Sequence, residues 1–156
     1  MTVQFQRTIP ILRIFDEQKA KEFYVDYLGF QVDWEHRYEP GMPLYMQVSR
    51  EGLVLHLSEH HGDGTPGSAI FVDMTGIEAF HRELTAKHYK YYRPCVEGAP
   101  WKAKTMDILD PFGNGLRFNQ SEGHEESDRK PAKTVKRSSK TGRRARKKAS
   151  RSRRQA

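Results

Sequence analysis

One order of local signals occurs twice in this chain, about 60 residues apart. A β-rich run, a helix start, an apolar helical stripe and three further β-rich runs fill residues 5–60, and the same order returns over 67–120. A repeat of this kind is one supersecondary unit that cannot close a core alone. Two copies of βαβββ, each with four strands and one helix, are therefore expected to pack as one body of roughly 120 residues.

In the first copy, Arg7 to Phe15 (RTIPILRIF) reads as a strand in which Pro10 favours an edge or a start position. Asp16 suits a helix N-cap, and Ala20, Phe23, Tyr24, Tyr27 and Leu28 fall on one helical stripe, stopped by Gly29. Strands follow over 30–38, 44–49 and 53–59, separated by the turns EPGMP and REG.

The second copy opens after the loop HHGDGTPG with a strand over 68–74. Thr75-Gly76-Ile77-Glu78 has the form of a capping box, and the helix it opens places Ile77, Phe80 and Leu84 on one face. Strands are expected over 89–96, 104–109 and 115–119, the last two joined by the hairpin turn Asp110-Pro111-Phe112-Gly113-Asn114. The predicted fold class is α+β: two tandem βαβββ modules whose curled mixed sheets surround a groove, over residues 1–121.

Charge divides the chain differently. Residues 129–156 hold 14 of the 27 Lys and Arg and none of the 20 Asp and Glu, so residues 1–128 carry −7 and the remainder +14. From residue 122 onward Val135 is the sole large apolar residue and no aromatic occurs, so this segment is expected to be a disordered basic tail. Its charge suits a non-specific nucleic-acid contact through residues 129–156. No apolar run approaches the ~18 residues of a membrane span, and no signal-peptide pattern opens the chain, so no membrane partner and a cytoplasmic location are expected. The single cysteine, Cys95, permits no intrachain disulfide and reads as a small residue buried in a strand.

Several stretches resemble the vicinal-oxygen-chelate superfamily of glyoxalases, bleomycin resistance proteins and dioxygenases. They are the opening IPILRIFD, the segment KEFYVDYLGFQVDW, LVLHLSE, and PWKAKTMDILDPFGNGLRF. The LGF-x-x-D-aromatic pattern together with Pro-Trp before the hairpin is most like the bleomycin resistance branch.

Metalloenzymes of that superfamily draw His, Glu or Gln ligands from four strands. By the resemblance those positions fall at Ile9, His56, Gly67 or Ser68, and Arg117, of which His56 alone is a metal-binding type. The fixed charge of Arg117 would also repel a cation. His56, His60 and His61 form a local cluster, but residues 56 and 60 of one strand stand about 13 Å apart. No metal and no cofactor are expected, which counts against a lyase, isomerase or dioxygenase of the same fold. No nucleophile motif and no phosphate loop occurs either.

The resemblance instead implies sequestration of an antibiotic in clefts at a homodimer interface, with flat rings held between aromatic side chains and a cationic end met by carboxylates. The matching positions are Trp34 and Trp101, the two tryptophans of the chain. Asp33, Glu35 and Tyr38 surround the first, and Tyr45, His56 and Arg117 are expected to point into the groove. The expected function is metal-independent binding of a planar, cationic, bleomycin-like small molecule that confers resistance. Arg117 points the other way, toward an anionic or carbonyl-bearing ligand. A nucleic-acid-associated protein working through the basic tail is a third reading.

Overall fold

The computed structural model describes residues 2–123. The basic tail expected over 122–156 lies, from residue 124 on, outside the described residues.

The first module runs β1 (Ile11–Arg13), α1 (Glu17–Lys21), β2 (Gln31–His36), β3 (Tyr45–Arg50) and β4 (Leu53–Ser58). The second runs β5 (Ala69–Asp73), α2 (Ile77–Ala86), β6 (Glu97–Ala99), β7 (Ala103–Leu109) and β8 (Gly115–Ser121). Each forms a four-stranded mixed sheet with the same topology, β1-β4-β3-β2 and β5-β8-β7-β6. In each, the first strand runs parallel to the last and the other pairings are antiparallel. The expected α+β repeat is thus present in both halves.

Asp16 caps α1 by accepting from the Lys19 N–H at 2.8 Å. The helix continues as a π-helical segment over Glu22–Tyr27, with the Leu28 N–H reaching the Phe23 carbonyl at 2.8 Å. The wider winding still keeps Ala20, Phe23, Tyr24, Tyr27 and Leu28 buried. Gly29 ends it at φ +75°, a left-handed conformation that costs glycine little.

One core joins the modules. Leu12, Met46, Val48, Leu55 and Leu57 from the first sheet and Met106, Ile108, Leu116 and Phe118 from the second belong to a single buried cluster. The Asp110–Asn114 turn is tied into the first module. Asp110 accepts from the Tyr24 hydroxyl at 2.8 Å, and the Asn114 amide donates to the Arg13 carbonyl at 2.8 Å. On the other side of the seam Arg50 forks onto Glu83 and lies over the Phe80 ring.

Four sequence expectations are corrected. The first strand starts only after Pro10, which lacks an N–H, rather than at Arg7. Thr75 does not cap α2: Gly76 occupies the N-cap position and the Ile77 N–H is met by the Gln120 side chain at 2.9 Å. Residues 89–96 form no strand. Their tyrosines are used for packing instead, Tyr89 stacked on Tyr27 at 4.4 Å and Tyr92 donating to the Asp107 carbonyl. Cys95, in that irregular segment, is exposed rather than buried.

Candidate functional site

Alternation along β3 and β4 buries Met46, Val48, Leu55 and Leu57 and turns Tyr45, Gln47, Ser49 and His56 to the opposite, open face. A register shift between Val32 and Trp34 in β2 leaves Asp33 as an extra residue. This bulge lets both Asp33 and Trp34 serve the open face, where strict alternation would have sent one of them to the core side.

The Trp34 indole stacks on Tyr45 at 5.9 Å and 9° and meets His56 edge-on at 5.3 Å. Gln47 lies between Trp34 and His56 in the register. Its amide nitrogen donates to Asp33 Oδ2 at 2.8 Å, so its oxygen faces His56 Nε2 at 3.0 Å. His56 therefore carries its proton on Nε2, and its Nδ1 accepts from the Tyr45 hydroxyl at 2.9 Å. Ser49 and Gln31 complete the set by donating to Asp33.

These contacts fix charge. Hydrogen bonds from Gln47 and Ser49 hold the Asp33 carboxyl below the ordinary range. Burial, with a smaller contribution from Arg7, lowers the basicity of His56. The open face of the first sheet thus presents an aromatic surface, a neutral imidazole and one carboxylate. Beside it, where Val54 of β4 approaches Phe71 of β5, lies a cavity of about 400 Å³ lined also by Arg7, Pro10 and Leu53.

The lowered His56 pKa has a consequence for stability. An unfolded chain takes up the His56 proton near pH 6.5 while the folded chain resists it, so this contribution is full above that pH and is lost as the pH falls through the folded value. The melting-temperature gap between wild type and His56→Gln should accordingly narrow between pH 7.5 and pH 5 by differential scanning fluorimetry. A constant gap would show that His56 titrates as in a peptide.

Of the other expected site residues, Glu35 turns to the helix side and pairs with Lys21 at 2.6 Å, off the open face. Tyr38 is 77% exposed beyond the end of β2, edge-on to His36 and His60. Trp101, in the turn between β6 and β7, and Arg117, in β8, belong to the second module. The Trp101 indole N–H donates to Asn119 at 3.1 Å, and Asn119 also bonds Asp73. Arg117 sits in register between Phe71 and Asp107, its Nε 3.9 Å from the Asp107 carboxylate. Trp34 and Trp101 make no contact within the chain: their ring partners are Tyr45 and His56 for the first and a side-chain amide for the second. Sequence reasoning missed Gln47 and Ser49, whose two-residue spacing with Tyr45 in a strand is the signal that places them on one face.

The superfamily's metal positions do not fit a metal here. Ile9 and Ser68 offer no transition-metal donor of the required type, Arg117 is cationic, and both His56 ring nitrogens are engaged by neighbours. Among the described residues no three His, Cys, Asp or Glu side chains converge, and no helix is long and apolar enough to cross a membrane.

Two tandem βαβββ modules around a shared core, each with an open sheet face, define a vicinal-oxygen-chelate protein. The chain belongs to the glyoxalase superfamily: a family model described as "Glyoxalase superfamily protein" matches residues 1–125. Similar solved structures include a bleomycin-binding protein from Streptomyces verticillus complexed with copper(II)-bleomycin, at 29% identity and TM-score 0.58, covering 78% of this chain and 100% of that one. A bleomycin resistance determinant encoded on transposon Tn5 matches at 22% identity and TM-score 0.60, covering 76% and 99%. A glyoxalase-related enzyme from Clostridium phytofermentans matches at 19% identity and TM-score 0.60, covering 77% and 98%. No curated protein sequence matches the chain.

Proposed function

We propose that this protein is a metal-independent binding protein that sequesters a planar, cationic aromatic antibiotic of the bleomycin type and so confers resistance. The observation that carries the reading is the Trp34–Tyr45 stack on the open face, with the indole 41% exposed and the Asp33 carboxylate beside it. An exposed indole already braced by a second ring offers its free face to a flat heteroaromatic, and Asp33 supplies the counter-charge. Of the three carboxylate and phenol candidates around Trp34, Asp33 is the one whose placement supports direct contact. Arg117 has Asp107 within 3.9 Å, which offsets its charge on the second sheet and reduces its pull toward anionic ligands.

Trp34 on the first sheet and Trp101 in the β6–β7 turn of the second module do not touch, which favours a cleft assembled by two copies of the chain, the first module of one facing the second module of the other. The working form is a cytoplasmic homodimer.

The test is a titration of the purified protein with metal-free and with Cu²⁺-loaded bleomycin, followed by tryptophan fluorescence, with size-exclusion chromatography to fix the assembly. Saturable quenching at one ligand per subunit by both forms, with ligand recovered unchanged, is the expected outcome. A flat response from a folded dimer would overturn the ligand. Recovery of a chemically altered ligand would replace binding by catalysis.

A further inference from the structure

The family match ends at residue 125, and about three quarters of this chain spans the whole of each similar solved chain. The βαβββ pair is therefore a complete folding unit in its relatives, and residues 129–156 are an addition to it. Those 28 residues hold 14 Lys and Arg with no acidic residue, on a chain whose preceding 128 residues carry −7. Ligand binding on the open faces uses none of this charge.

We propose that residues 129–156 bind nucleic acid through its phosphate backbone, without base specificity, and so tether the ligand-binding body to it. Duplex DNA carries one negative charge per ~1.7 Å, and each phosphate neutralised by Lys or Arg releases a condensed counterion. Such binding needs cations and hydrogen-bond donors alone, which is what the sequence supplies: KRSSK and SRSRR interleave Lys and Arg with Ser, and RRARKK is five cations broken by one Ala. A membrane surface is disfavoured as the partner, since stable attachment there combines basic residues with apolar or aromatic anchors, and Val135 is the segment's sole large apolar side chain.

The test measures anisotropy of a fluorescein-labelled 20-base-pair duplex with the full chain and with a chain ending at Glu125, from 50 to 200 mM salt. With about half of the 14 cations engaged, affinity should fall roughly 10³- to 10⁵-fold across that range. The shortened chain should retain no duplex at 50 mM salt while keeping its small-molecule binding. Replacing Arg143, Arg144, Arg146, Lys147 and Lys148 together with Gln should make the slope of log affinity against log salt shallower by up to about 4.5. Equal duplex binding by the shortened chain, or an unchanged slope in the five-site variant, overturns the proposal. So does retention of the full chain on phosphatidylserine vesicles at a salt concentration that releases the duplex, which would assign the segment to a membrane surface. A failure of bleomycin titration leaves these readouts untouched.

Discussion

Replacing Asp110 with Ala is expected to lower the unfolding free energy by about 4 kcal/mol, measured by urea denaturation, out of the ~5–15 kcal/mol available to a domain. Asp110 is 6% exposed and accepts four hydrogen bonds. The N–H groups of Phe112 and Asn114 reach its Oδ1 at 2.9 and 2.7 Å, while the Asn114 amide and the Tyr24 hydroxyl reach Oδ2 at 2.7 and 2.8 Å. Truncation strands all four donors at a position that is 6% exposed, and each stranded donor costs more than the bond it lost was worth. Two of the bonds shape the hairpin turn, and the Tyr24 bond crosses to the other module over 86 residues of sequence. Tyr24→Phe should therefore cost about 1–2 kcal/mol, and the double variant should cost less than the sum, because both substitutions break the same bond. A loss of 1 kcal/mol or less in Asp110→Ala would show that the turn is held by its backbone alone.

That turn was legible as a hairpin from Asp-Pro-Phe-Gly-Asn, but its work in joining the modules was not, since nothing local says that a tyrosine 86 residues earlier will reach it. The same division runs through the chain. The stripe Ala20, Phe23, Tyr24, Tyr27 and Leu28 could be read directly because burial of one helical face leaves a periodic trace, and it survives the π-helical winding that no composition signal announced. Helix α2 was located correctly, yet its first N–H is met by Gln120, a tertiary acceptor invisible to a local motif. The strand expected over 89–96 failed for a related reason. Tyrosines and Val score as β-formers whether they pair in a ladder or pack on a neighbour, and here Tyr27 and Tyr89 stack while Pro94 interrupts any pairing. In the candidate site, Trp34, Tyr45 and His56 were recognisable as strand residues of like parity or position. Asp33 owes its place beside them to a bulge, and Glu35 loses its place to Lys21, and neither follows from spacing.

Replacing Trp34 with Ala is expected to weaken bleomycin binding at least ~10-fold, about 1.4 kcal/mol, without lowering the melting temperature appreciably. The indole is 41% exposed and outside the buried cluster, so its removal takes little from the core, but it removes the free aromatic face and leaves Tyr45 unstacked. Trp101, 61% exposed and held by one bond to Asn119, should behave alike. The two variants together also reveal how the cleft is built. If each cleft combines Trp34 of one copy with Trp101 of the other, a mixed dimer of Trp34→Ala and Trp101→Ala subunits contains one intact cleft and one with neither indole. Unfolding and refolding an equal mixture should then restore wild-type affinity at about a quarter of the sites, because half of the dimers are mixed and each has one intact cleft of two. A cleft formed within one chain would leave every site short of one tryptophan, and the mixture would bind no better than its parents. Isothermal titration separates the two outcomes by stoichiometry, and unchanged affinity in both single variants would remove the aromatic clamp altogether.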